Sequence, residues 1–324
     1  MIERIWIYLL FPGVPLLVLY CLHRRALAKR AHLARPFKDF RRPAGYSLQE
    51  KVDEKSEELS LSILGFVFTA MFPGIAYSMG SALPVGIIAG FIPCAYFTRR
   101  LLKAWAPYQD NKLGLIGEQI TGAELDALQT NDVRAYHDLV FVKDGRTWNV
   151  DHVLLTVRGI LVIETKARRK RRVGREFPDK LVYDGRQITY PNGQYETQAL
   201  QQVKSNVTSL LGEIHTWTGG MSVPVFPVLV YPGWKIERTA NGDVYVVGHD
   251  KLGQLLPLRG EMIYPPTFKI LKSNLDRRSR VAMEEGTSQI IQTDHHYQPA
   301  LRSPEAAAAE GSALLGSVAS GIER

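Results

Sequence analysis

The chain has 324 residues, 45% of them hydrophobic and 22% charged, a balance that excludes wholesale disorder and leaves room for two domains. Its formal net charge of +8 suggests an acidic partner, but residues 1–107 carry 14 Lys+Arg against 7 Asp+Glu. The rest of the chain is therefore almost neutral, and the basic excess is not the footprint of a nucleic-acid-binding domain.

Taken in chain order, three apolar runs come first, at about residues 5–22, 61–79 and 82–97. Each approaches the length that crosses about 30 Å of hydrocarbon as a helix. Pro73, Pro84 and Pro93 are tolerable in such helices. Residues 1–107 are thus expected to form an all-α membrane region of about three transmembrane helices. Arg24, Arg25, Lys29, Arg30, Arg35, Lys38, Arg41 and Arg42 crowd the basic loop, residues 23–60, between the first two runs. Arg99, Arg100 and Lys103 follow the third. The positive-inside rule then puts the N-terminus outside, with the loop and the C-terminal domain in the cytoplasm. The loop either sets topology alone or also contacts anionic lipid of the bilayer. Cys21 and Cys94 both lie in apolar runs and build neither a zinc site nor a disulfide framework.

A helix is expected from Gly117, with Ile120, Leu125 and Leu128 on one face and Glu118 in its first turn. Strands are predicted at 133–142, 148–157 and 160–165, the last two joined by a turn at Arg158-Gly159. Asp151, Glu164 and Lys166 interrupt this apolar pair. Glu164 and Lys166 are two residues apart and share a strand face, and antiparallel pairing brings Asp151 alongside Glu164. Two carboxylates and an ammonium on one sheet face are costly to bury without a task. Paired carboxylates suit a hard cation such as Mg²⁺, whose bound water is acidified while the lysine stabilises charge on phosphorus. The alternative is a surface Glu–Lys pair worth little. His137 and His152 are expected to be structural hydrogen-bonders.

The basic run Arg168, Arg169, Lys170, Arg171 and Arg172 leaves the active strand, where guanidinium forks could hold phosphates; a solvated charge run is the alternative. Tyr190 to Gly193 marks a turn. A helix is expected over about 197–214, with Leu200, Val203, Val207, Leu210 and Leu211 as its apolar face. Strands at 223–231 and 244–247 close a mixed sheet flanked by helices. Short helices follow at 251–256 and 267–275. Asp294, His295 and His296 could touch a metal but lack a further cluster, and residues 281–324 read as an extension with a low-complexity tail.

Several of these segments together resemble the nuclease-related domain (NERD), a branch of the PD-(D/E)XK nucleases. They are Gly114-Leu115-Ile116-Gly117-Glu118, Tyr136-His137-Asp138-Leu139, Asn149 to Val153, Gly159 to Lys166, and Tyr183-Asp184-Gly185. The resemblance spans roughly residues 108 to 260, so that a nuclease-like domain would occupy 108–280. It implies a restriction-endonuclease-like α/β fold with Asp151 and Glu164 as metal ligands and Lys166 as catalytic lysine. Glu118 would be a supporting helix acid, and Gln202 an accessory residue, with Gln201 competing for that role. Valine stands where the superfamily name has proline. The expectation is a membrane-anchored, Mg²⁺- or Mn²⁺-dependent nuclease on the cytoplasmic face of a bacterial inner membrane. DNA is favoured over RNA, and a homo-oligomer would bring two active sites to both strands. The alternatives are a membrane-tethered nucleic-acid-binding module of a transfer or defence assembly, and a protein-binding scaffold.

Overall fold

The computed structural model describes residues 39–71, 83–143, 146–256 and 261–282, with isolated positions at 21, 22, 25 and 74. The chain divides into residues 1–289 and 290–324, and the described residues lie in the first unit.

A short strand β1 (Asp39–Arg41) leads into the long helices α1 (Tyr46–Ala70) and α2 (Leu83–Ala127). Three antiparallel strands follow: β2 (Val133–Lys143), β3 (Arg146–Thr156) and β4 (Gly159–Thr165). Then come β5 (Lys180–Tyr183), β6 (Ile188–Thr189), β7 (Tyr195–Glu196), helix α3 (Gln198–Thr218), β8 (Val225–Val230), β9 (Lys235–Arg238) and β10 (Tyr245–Val247). A 3₁₀ turn (His249–Leu255), helix α4 (Pro265–Arg278) and strand β11 (Arg280–Ala282) close the unit.

The central sheet has the order β10-β8-β4-β3-β2, with β8 parallel to both β4 and β10. Strand β4 is buried along its whole length, as its unbroken apolar run requires in a strand covered on both faces. Ile160 and Val162 pack with Leu210 and Ile214 of α3 and with Leu271 and Leu275 of α4. Leu161 and Ile163 pack on the other face with Leu125 of α2, Val228, Val230 and Leu252. A second sheet, β7-β6-β5-β9, forms its own core with Leu200 and Val203 of α3. The expected α/β fold is therefore present, with two mixed sheets rather than one. Strand β1 pairs with β11, which brings the middle of the supposed basic loop onto the α/β domain, where Arg42 is buried.

The membrane expectation meets a different arrangement. No helix among the described residues is long and apolar enough to cross a membrane. The run at 61–79 begins inside α1, whose first half carries Asp53, Glu54, Lys55, Glu57 and Glu58. The run at 82–97 opens α2, a 45-residue helix with prolines 93 and 107 inside it that continues past the charged residues Arg99, Arg100 and Lys103. Continuous polar-to-apolar helices of this kind dilute the apolar window that a crossing needs. The first run, residues 5–22, lies almost entirely outside the described residues. So do Asp294, His295, His296 and the tail.

Helix α2 approaches the end of β4 very closely. A Cβ on Gly117 would stand 2.7 Å from the Ala167 Cβ, so only glycine lets the helix lie there. Gly117→Val is expected to cost about 1–3 kcal/mol and lower the melting temperature, because helix and strand must part. An unchanged melting temperature would show that the contact yields freely.

Candidate active site

The site forms where the pairing of β3 with β4 ends, against α2 and α3. The β3–β4 register ends at His152↔Ile163, so Asp151 and Glu164 are the next residue on each strand. The backbone N–H of Thr165 donates to Asp151 Oδ2 at 2.8 Å, which fixes that carboxylate against its neighbour strand. Lys166 Nζ donates to Glu164 Oε1 at 2.7 Å and to Gln202 Oε1 at 2.9 Å. Glu164 and Lys166 thus share a face as expected, and Gln202 rather than Gln201 contacts the lysine.

Asn206, one turn beyond Gln202 on α3, donates through Nδ2 to Glu164 Oε2 at 3.0 Å. Sequence reasoning missed it, although the i, i+4 spacing from Gln202 was a usable signal. Glu118 enters from α2 and is only 8% exposed. All of these except Asn206 line one cleft of about 540 Å³, together with Lys51, Asp138, Arg168 and Arg169.

Asp138, within the Tyr136–Leu139 motif, has an unusual backbone: φ is 47°, left-handed, in the middle of β2. It lies between the pairs His137↔His152 and Leu139↔Val150, directly opposite Asp151, where the ladder is interrupted. The alternation slips there. Tyr136 and Leu139 contribute to the same core, as do Val150 and Val153. Irregular strand pairs of this kind re-aim side chains beside sites. The distortion is held from α1, where Ser47 donates to Asp138 Oδ2 through N (3.1 Å) and Oγ (2.8 Å). Arg42 Nη1 donates to the Asp138 carbonyl at 3.0 Å. The supposed loop therefore braces the site.

Burial, and then the neighbouring charges of Asp138 and Glu164, push Glu118 from 4.5 up to about 8. Burial also raises Asp151 well above its ordinary range, reinforced by Glu164 and Glu118 and opposed by the Thr165 N–H and Lys166. Glu164 is raised by burial in spite of Lys166. Glu118, Asp151 and Glu164, with buried Asp138 beside them, thus crowd one cleft in which Lys166 is the ammonium bonded to Glu164, an imbalance that a cation would relieve. Among the described residues no group of three or more His, Cys, Asp and Glu side chains forms a ready metal cage. Mg²⁺ does not need one, since one or two carboxylates, waters and substrate phosphate complete its shell. The all-oxygen donors Asp151 and Glu164 fit that class of ion.

His137 and His152 are structural, as expected. Their Nδ1 atoms lie 2.9 Å apart, and His137 Nε2 reaches Asp126 of α2 at 3.1 Å. Burial, then His137, drives His152 well below its ordinary range, so it stays neutral. The basic run is divided in its contacts. Arg168 Nη2 is 2.7 Å from Glu196 Oε1, and Arg169 Nη2 is 3.5 Å from Asp110. Lys170, Arg171 and Arg172 are exposed.

Fold and cleft together define an α/β domain with a carboxylate–lysine site at the sheet end. Residues 113–232 match the family NERD, the nuclease-related domain. The matched stretch holds Glu118, Asp138, Asp151, Glu164, Lys166, Gln202 and Asn206, and it is shorter than the span the motifs alone implied. No curated protein and no solved structure matches the chain.

Proposed function

We propose that this protein is a metal-dependent nuclease that hydrolyses phosphodiester bonds, with DNA as its substrate. One observation carries the reading: Glu118, Asp151 and Glu164, from three different elements of the nuclease-related segment, converge with Lys166 in one cleft. Asp151 and Glu164 would hold Mg²⁺ or Mn²⁺, which when bound supplies Lewis acidity toward phosphate and a water of lowered pKa.

The chain's own groups do the rest. The Thr165 N–H orients Asp151, while Asn206 and Lys166 orient Glu164. Lys166, steadied by Gln202, places a positive charge where negative charge develops on the phosphoryl oxygens. Glu118, with its raised pKa, can hold a proton near neutrality in the same cleft.

The test is cleavage of plasmid, single-stranded DNA and RNA by the full chain with Mg²⁺, Mn²⁺ or chelator, beside Asp151→Ala. DNA cleavage that requires metal and disappears in the variant supports the reading. Salt-sensitive binding without any cleavage would replace it with a nucleic-acid-binding module.

We also propose that the protein is held at a bilayer, with this domain on the cytoplasmic side. The apolar run at residues 5–22 and exposed side chains such as Leu61, Leu64 and Phe91 on α1 and α2 support it. Recovery of the full chain in the soluble fraction after cell lysis would refute it.

A further inference from the structure

A second cleft, of about 880 Å³, adjoins the carboxylate cleft, and Arg168 and Arg169 line both. Its floor is tied down by polar contacts. Glu196 accepts from Arg168 Nη2 (2.7 Å) and from the hydroxyls of Tyr190 (2.5 Å) and Tyr231 (3.1 Å). Trp234 Nε1 donates to the Arg168 carbonyl at 3.1 Å, and Lys170 Nζ lies 5.7 Å from the Trp234 ring centre. With both Glu196 oxygens engaged, one by a guanidinium, the carboxylate presents little repulsion to a phosphate.

What the cleft offers a ligand is cationic and aromatic. Arg169, Lys170 and Arg171 line it, and Tyr195 stands 69% exposed. Tyr195 is not on a loose tip, because Thr189↔Tyr195 pairing fixes its backbone in the second sheet. A duplex shows its surroundings phosphates and sugars, with its base faces stacked away. An unpaired strand exposes both phosphates and base faces, and cations beside an aromatic ring satisfy both. The volume falls in the range of clefts that enclose nucleotide-sized ligands.

We infer that this cleft binds a single-stranded segment of nucleic acid continuing from the scissile phosphate, with a base stacked on Tyr195. This rests on the nuclease reading above and narrows it: the preferred substrates carry an unpaired stretch beside the cut, as single strands, flaps or overhangs do. Arg168 and Arg169, lining both clefts, mark the path from one to the other.

The test measures binding without cleavage. Fluorescence anisotropy of the full chain in chelator would be recorded with a labelled single-stranded DNA of about ten nucleotides, within the site sizes of single-strand binders, and with its duplex. The single strand should bind more tightly. Tyr195→Ala should weaken single-strand binding about tenfold, Tyr195→Phe should restore it, and the duplex should be unaffected by either. Duplex preference in the wild type, no loss in Tyr195→Ala, or equal loss on both probes would overturn the inference. Because no turnover is needed, a chain that never cleaves refutes the nuclease alone. A chain that cleaves yet ignores Tyr195→Ala refutes the single-strand cleft alone.

Discussion

Lys166→Ala is expected to lower the cleavage rate by about 10²–10³-fold while leaving substrate affinity nearly unchanged. The reason lies in placement. Lys166 Nζ is held at once by Glu164 Oε1 and Gln202 Oε1, so its charge is positioned before substrate arrives. A preorganised charge acts mainly on the transition state, where negative charge grows, so the loss should appear in kcat rather than KM. Lys166→Arg should not restore the rate, because a planar fork cannot replace a compact ammonium between the same two oxygens. The folded state should tolerate the alanine. Glu164, raised by burial, takes up a proton when its partner is gone. Gln202→Ala and Asn206→Ala, which act through their neighbours, should each cost about tenfold, in the range of groups that orient a ligand. Single-turnover cleavage of a labelled DNA with saturating Mn²⁺ measures all four. A Lys166→Ala rate within about twofold of wild type, far short of what one preorganised donor contributes, would remove the lysine from the mechanism.

Without divalent metal, the protein should lose stability as pH rises from 5 to 8.5, on the order of 2–4 kcal/mol. Glu118 rises from 4.5 to about 8, and Asp151 and Glu164 move the same way. A carboxyl whose pKa is higher folded than unfolded favours the native state while it is protonated. Its contribution is complete below about 4.5 and disappears as pH climbs through about 8. Mg²⁺ or Mn²⁺ should reverse the trend, since it binds the ionised carboxylates, gains affinity with pH and releases protons. Thermal melts across that range with and without Mn²⁺ show this directly. Calorimetric titrations in buffers of different ionisation enthalpy count the protons released. Glu118→Gln should flatten the metal-free slope. A flat melting temperature in the wild type would mean that water or side-chain movement relieves the three carboxylates.

Asp151, Glu164 and Lys166 were legible because a strand has a period of two and an antiparallel partner has a definite register. Charges beside an apolar strand mark either a site or a surface ion pair, and Asp151 on the neighbouring strand weighed for the site. Glu118 became legible through the matching motifs, not through its own helix position. Asn206 was overlooked because its i, i+4 spacing from Gln202 acquires meaning only once the strand that both residues reach is placed. Leu211, assigned to the apolar face of α3, is 40% exposed, and Ile214 takes its place in the core. Strands β5, β6, β7 and β9 span two to four residues each, too short for alternation to register. At the apolar runs 61–79 and 82–97, no described helix is long and apolar enough to cross a membrane. Hydropathy counts residues and is blind to where a helix begins, and α1 and α2 both extend far into polar sequence.

By itself the sequence determined the β2–β3–β4 meander, the helices α3 and α4 to within a few residues, and the carboxylates and lysine on adjacent strands. These follow from local periodicity, turn chemistry and the cost of burying charge, all of which act over a few neighbouring residues. The tertiary structure decided what depends on contacts distant in sequence. It set Ser47 and Arg42 against the left-handed Asp138, Gly117 against Ala167, and Gln202 and Asn206 against the lysine and glutamate. It also turned part of a basic run into the wall between two clefts. Hydrogen bonds and close packing choose such partners by distance in space, and a chain read one residue after another carries no record of that distance.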